Sequence, residues 1–207
     1  MWRNGADGYG LVSIALHWTI ALGTIGLVAL GAWMVGLTYY DPWYNESLAL
    51  HKAFGIAVLA LAAAKLGWRV AGRSPGFDPG IGPWERAGAT AMHWVLNAAI
   101  VLLPVTGYLI STSEGAGIDM FGVFEVPALF GISERTRDLA IEMHFYLAYG
   151  LIVLVAGHAG AALKHHFVDR GSTLRRMLVP RPPSRRRGRS AKWSGFRARN
   201  SRRNDRT

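Results

Sequence analysis

The chain contains no cysteine, which excludes a disulfide scaffold, a thiolate zinc site, a cysteine-held iron–sulfur cluster and a covalently attached c-type haem. Any cofactor must be held noncovalently by other ligands. Charge is also scarce: 17% of the 207 residues are Asp, Glu, Lys or Arg, against 51% hydrophobic. A formal net charge of +10 would suggest nucleic acid, but the imbalance is local. Residues 1–180 carry 12 basic and 12 acidic side chains, whereas 181–207 carry 11 basic ones and a single acid, Asp205. The molecule is thus an electroneutral apolar body long enough to build a core, followed by a basic tail.

Within the body, charge is missing over lengths that matter. A membrane-spanning helix needs about 20 apolar residues, and stretches at about 11–37, 48–71, 87–113 and 143–163 meet that need. The first exceeds the h-region of a signal peptide and is expected to span. The second holds His51 and Lys52 near its start and Lys65 and Arg69 near its end, where long cationic side chains can snorkel to the interface. Pro104 is expected to kink the third. The fold class that follows is all-α: an integral membrane four-helix bundle over residues 1–180, with a disordered basic tail over 181–207. The connection at 72–83 is rich in Gly and Pro and reads as turns. The 113–138 loop, with Phe121, Phe124 and Phe130, is expected to lie as a cap on the bundle. Lysines and arginines gather after spans two and four, which is expected to place both termini in the cytoplasm and the acidic loops on the opposite side, the periplasm if the chain is bacterial.

Histidines supply what cysteines do not. His17 falls in span one on the cytoplasmic side, His51 and His144 open spans two and four on the periplasmic side, and His158 follows His144 by fourteen residues. Fourteen residues return to within about 40° of the same helix face, about 21 Å along the axis. By depth the natural pairs are His17 with His158 and His51 with His144. Two facing imidazoles at each of two depths are what two six-coordinate b haems require, and a bundle interior supplies the apolar walls. Gly23, Gly31, Gly55, Gly150, Gly157 and Gly160 would let a planar macrocycle approach the backbone. His93 has the depth to replace His17 or His158, or to donate a hydrogen bond to a haem propionate or a quinone. A haem-free, histidine-based metal transporter is disfavoured because the uncharged cores hold no acidic residue.

The segments LHW (16–18), LHKAFG (50–55), LGWR (66–69), PVTGYLIS (104–111), MH (143–144), GHAGAALKHHF (157–167) and LRRM (174–177) resemble the bacterial cytochrome b561 family of dihaem inner-membrane b-type cytochromes. The resemblance covers about 9–178; Lys65 stands where an arginine is usual, and the tail has no counterpart. It implies His17 and His158 as axial ligands of an inner haem b and His51 and His144 as those of an outer haem b, with His93 not a ligand. It also implies electron transfer between a periplasmic donor and ubiquinone. One member type is a superoxide oxidase, and the alternative is an electron-carrier or anchor subunit for a partner dehydrogenase or periplasmic cytochrome. Lys52, beside a ligand at the outer surface, is the candidate for attracting an anion. His93, Lys164 and His165 are candidates for a quinone, whose oxygens need hydrogen-bond donors and, on reduction, protons.

The tail, with Trp193 and Phe196 among its arginines, reads as a lipid-binding segment rather than a reader of specific nucleic acid. A soluble peptide of residues 181–207 is expected to bind anionic vesicles and to lose most of that binding as salt rises. Equal binding to neutral vesicles would contradict it.

Overall fold

The computed structural model describes residues 2–180 apart from 7 and 79; the segment 181–207, expected as a disordered tail, lies outside the described residues. The elements are α1 (Leu11–Met34), α2 (Tyr44–Ala71), α3 (Pro83–Thr112), β1 (Ile118–Met120), β2 (Phe124–Val126), α4 (Glu134–Phe167) and α5 (Thr173–Arg176). The four long helices are each apolar and long enough to cross a membrane.

Helices α2, α3 and α4 begin before the apolar stretches do. An uncharged run measures the depth of hydrocarbon, whereas a helix continues until its terminal N–H groups find partners. For α4 that partner is the Ser133 hydroxyl, which accepts from Thr136 N at 3.2 Å. For α3, Pro83 occupies the first turn, where its missing N–H costs nothing, and the Glu85 carboxylate reaches back to Gly82 N at 3.1 Å. Helix α1 stops at Met34, short of residue 37, and the chain turns at Asp41, whose Oδ2 accepts from Thr38 N and Thr38 Oγ1, both at 2.7 Å. Those bonds, the backbone one foremost, hold the Asp41 carboxyl below its usual range. Helix α3 runs on through Pro104.

The body is the expected all-α bundle, and its 113–138 loop folds into a small two-stranded antiparallel hairpin pairing Ile118 with Val126 and Met120 with Phe124. Its turn has positive φ at Phe121 (59°) and Gly122 (72°), the twist that tight hairpins favour. The expected cap does form. Ile118 and Met120 are buried against Ala53, Ile56 and Tyr108, the Tyr108 hydroxyl donates to Pro127 O at 2.8 Å, and it accepts from Leu129 N at 2.8 Å.

Consecutive helices pack closely, α1 on α2, α2 on α3 and α3 on α4. Leu96 and Ala99 of α3 meet Leu151 of α4 in the only sizeable cluster between helices among the described residues. The helices alternate in direction, so one end of the bundle carries the hairpin and the opposite, terminal end carries α5. There Trp18 Nε1 donates to Met177 O at 2.8 Å, and Asp78 accepts from Ser172 N at 2.9 Å and Ser172 Oγ at 2.7 Å. These two ties fasten the last described residues to α1 and to the 72–82 connection.

The Ser172 donors, backbone first, hold the Asp78 carboxyl below its usual range. A carboxyl with a depressed pKa contributes stability above its unfolded pKa and loses it as pH falls through the folded one. Asp78→Ala is therefore expected to loosen the segment after α4 by roughly 1 kcal/mol, discounted for solvent exposure. Hydrogen exchange at 171–178 checks it: exchange should rise in the variant at pH 7 and converge with the parent in acid.

Candidate functional site

Each long helix carries a second site position fourteen residues after the first: His17 and Gly31 on α1, His51 and Lys65 on α2, His93 and Gly107 on α3, His144 and His158 on α4. Because fourteen residues nearly complete whole turns and the helices alternate in direction, the eight positions form two layers. The hairpin-end layer is Gly31, His51, Gly107 and His144. The terminal layer is His17, Lys65, His93 and His158. The sequence alone pointed to the spacing between His17 and Gly31 on α1 and between His144 and His158 on α4; the same fourteen-residue rule also applies to α2 and α3, where it was missed.

In the hairpin-end layer the His51 and His144 ring centroids stand 6.2 Å apart with their planes at 67°. Each ring lies against a glycine of the neighbouring helix: a Cβ at Gly31 would come within 3.1 Å of His51 Cε1, and one at Gly107 within 3.1 Å of His144 Cε1. His144 Nδ1 lies 3.0 Å from Leu103 O and 3.1 Å from Thr106 Oγ1, and Thr106 Oγ1 donates to Leu103 O at 2.8 Å. A carbonyl only accepts, so this network assigns the proton to Nδ1 and leaves Nε2 with its lone pair. His51 Nδ1 is buried with no hydrogen-bond partner among the described residues. Both rings open on a cavity of about 150 Å³ also lined by Lys52, Gly55 and Ile118. Gly55 thus lines this cavity, and Gly55, Gly150 and Gly160 all have open space where a Cβ would stand.

In the terminal layer His17 and His158 are 6.4 Å apart with planes at 63°, and His93 lies closer to His158, at 5.3 Å. An imidazole nitrogen sits about 2 Å from a metal it binds and about 1 Å from its ring centre, so two rings on opposite sides of one iron stand roughly 6 Å apart. The two expected pairs have that spacing. His93 is too near His158 for it and packs on it directly. The donor set, four imidazoles without thiolates or carboxylates among apolar walls, fits haem iron. Lys65, expected to snorkel outward, instead donates inward from Nζ to Asn97 Oδ1 at 3.2 Å, and Asn97 Nδ2 donates to His93 O at 2.7 Å.

Lys164 and His165 do not join His93. Lys164 Nζ lies 2.7 Å from Glu85 and 3.0 Å from Asp169, and His165 Nδ1 lies 2.7 Å from Asp169. Lys164 first, then His165, hold the Asp169 carboxyl below its usual range. Glu85, His165 and Asp169 come near enough to chelate a cation, but the Lys164 ammonium already stands among them, so the cluster is an ion-pair knot at the terminal end of α3 and α4.

The family described as prokaryotic cytochrome b561 matches residues 8–180. "Cytochrome b561 homolog 2" of Escherichia coli (strain K12) is 42% identical over 175 residues, covering 84% of this chain and 93% of the relative. "Probable superoxide oxidase CybB" of Yersinia pestis is 27% identical over 176 residues, covering 82% and 95%. "Cytochrome b561 homolog 1" of Escherichia coli (strain K12) is 27% identical over 177 residues, covering 84% and 98%.

Gly107→Val should push the His144 ring from its place and lower the haem-to-protein ratio of the purified chain, whereas Gly160→Ala, with open space around it, should leave the ratio intact. An unchanged ratio in Gly107→Val would show that the close approach is dispensable.

Proposed function

This chain belongs to the prokaryotic cytochrome b561 family, and from that premise we propose that it is a dihaem cytochrome carrying electrons across a bacterial inner membrane from a periplasmic donor to ubiquinone. Membership makes it a membrane-bound b-type cytochrome of electron transfer. The observation that supports two haems is the equal spacing of the two imidazole pairs, 6.2 Å for His51 with His144 and 6.4 Å for His17 with His158. Bound between those pairs, b-type haem supplies a one-electron relay between the two membrane faces.

The protein's own residues do the rest. Leu103 O and Thr106 orient the His144 ring, and Gly31 and Gly107 give the outer rings room. The hairpin packs Ile118 and Met120 on Ala53 beside the outer layer, and Ile118 lines its cavity. The arginines and lysines beyond α2 and α4 put the terminal end in the cytoplasm and the hairpin end in the periplasm. Lys52, which lines the outer cavity, is the cation that an anionic donor would meet. The superoxide oxidase name of one relative favours superoxide as that donor: two superoxide anions, one quinone and two protons give two molecules of dioxygen and one quinol. On the cytoplasmic side His93, Lys164 and His165 are the groups able to hold a quinone oxygen or pass it a proton. His93 is the strongest of them, because it packs against His158 while the other two are engaged with Asp169. The second reading, a carrier or anchor subunit for a dehydrogenase or periplasmic cytochrome, draws on the exposed Phe121, Val123, Phe124 and Phe130 of the hairpin region.

The visible spectrum of the purified, dithionite-reduced protein should show low-spin b haem at two per chain. His158→Ala should remove one of the two, and His93→Ala neither. Absence of haem would sink the reading. Superoxide should reduce the protein rapidly and, with added ubiquinone, yield quinol; a chain inert until a partner protein is added would favour the subunit reading instead.

A further inference from the structure

Lys65 occupies the one position of the terminal layer that is not histidine. Fourteen residues before it on the same face of α2 stands His51, so Lys65 lies at the depth of His17, His93 and His158. Its Nζ is held at 3.2 Å by Asn97 Oδ1, and that amide is fixed in turn by its bond to His93 O at 2.7 Å. Among the described residues no carboxylate comes within ion-pair distance of Lys65. The neighbouring cation, Arg69, stands over the Trp94 ring at 5.5 Å, one turn beyond the layer position. The hairpin-end layer has two glycines and two histidines and no such cation. Lys52 lines its cavity but follows His51 by one residue and so stands outside the layer positions.

A half-buried ammonium in a bundle interior is costly unless something negative answers it. An added electron, or a carboxylate brought by the cofactor, is such an answer, and fixed charge near a redox centre is among the determinants of its potential. We propose that Lys65, oriented by Asn97, is the tuning cation of the terminal layer: it makes one-electron reduction there more favourable than at the hairpin end and so directs electrons inward. The two layers are otherwise alike in ligand type and spacing, and Lys65 is the cation that occupies a layer position. This rests on the two-haem reading above.

The test is an equilibrium redox titration of the purified holoprotein, read from the haem absorbance, with the terminal transition assigned as the one missing in His158→Ala. Lys65→Met should weaken reduction of the terminal haem at least tenfold, a fall of about 59 mV for one electron, and leave the hairpin-end transition in place. Lys65→Arg should restore the parent value. Asn97→Leu, which keeps the ammonium but frees it, should move the same transition by less. Loss of the terminal haem in Lys65→Met but not in Lys65→Arg would equally support a required cation. An unmoved terminal transition in Lys65→Met, or an Arg variant that behaves as Met does, overturns the role of Lys65. A parent protein with a single haem and a single transition overturns the two-haem reading itself, and the inference with it.

Discussion

An imidazole inside an apolar bundle must be matched by something, because a membrane interior offers no water to its ring nitrogens. The architecture of this protein follows from that requirement being met at two depths. His144 is answered on one nitrogen by Leu103 O and Thr106 and keeps the other free, facing His51 across the bundle. His17 and His158 face one another at the same separation near the opposite end. Close backbone packing runs α1 to α2 to α3 to α4, so both facing pairs join α4 to helices that do not flank it in sequence. The histidines therefore define the wide side of the bundle, and the tight side is left to small apolar residues such as Ala99 against Leu151.

The two layers share a plan and differ in chemistry. Glycines at the hairpin end give each ring a flat backbone to lie against, which is the reason Cβ atoms are missing at two positions of that layer. At the terminal end the corresponding positions are filled by His93 and Lys65. The hairpin-end layer holds no cation at a layer position, and the terminal layer holds one, Lys65, bonded to Asn97. The difference between the layers thus lies in which residues fill equivalent positions of a near-repeat.

Both ends of the bundle are closed by chain that is not part of it. The hairpin seats Ile118 on Ala53 and contributes that side chain to the cavity of His51 and His144. At the other end Met177 and Ser172 are tied to Trp18 and Asp78, and Lys164 knots α3 to α4 through Glu85. These closures position the layers relative to the membrane faces. They also draw Lys164 and His165 away from His93, which leaves His93 as the polar group at the heart of the terminal layer.

The sequence by itself determined the four spans, the absence of thiolate chemistry and the depth at which each histidine lies, because hydrophobic length and the fourteen-residue repeat are properties of a helix before it packs. It also carried enough motif to indicate the family. Helix ends escaped it, since Ser133 and Glu85 cap turns that lie outside the apolar runs. The hairpin escaped it too, its strands being three residues each and made by packing on α2. Only the tertiary structure decided which neighbours the shared depths bring together. Depth allowed His93 to stand in for His17, and the lateral packing of the helices put it at 5.3 Å from His158 while His17 took the wider spacing. It likewise turned Lys65 inward to Asn97, because a helix face is set by its own sequence but what that face meets is set by the helix beside it.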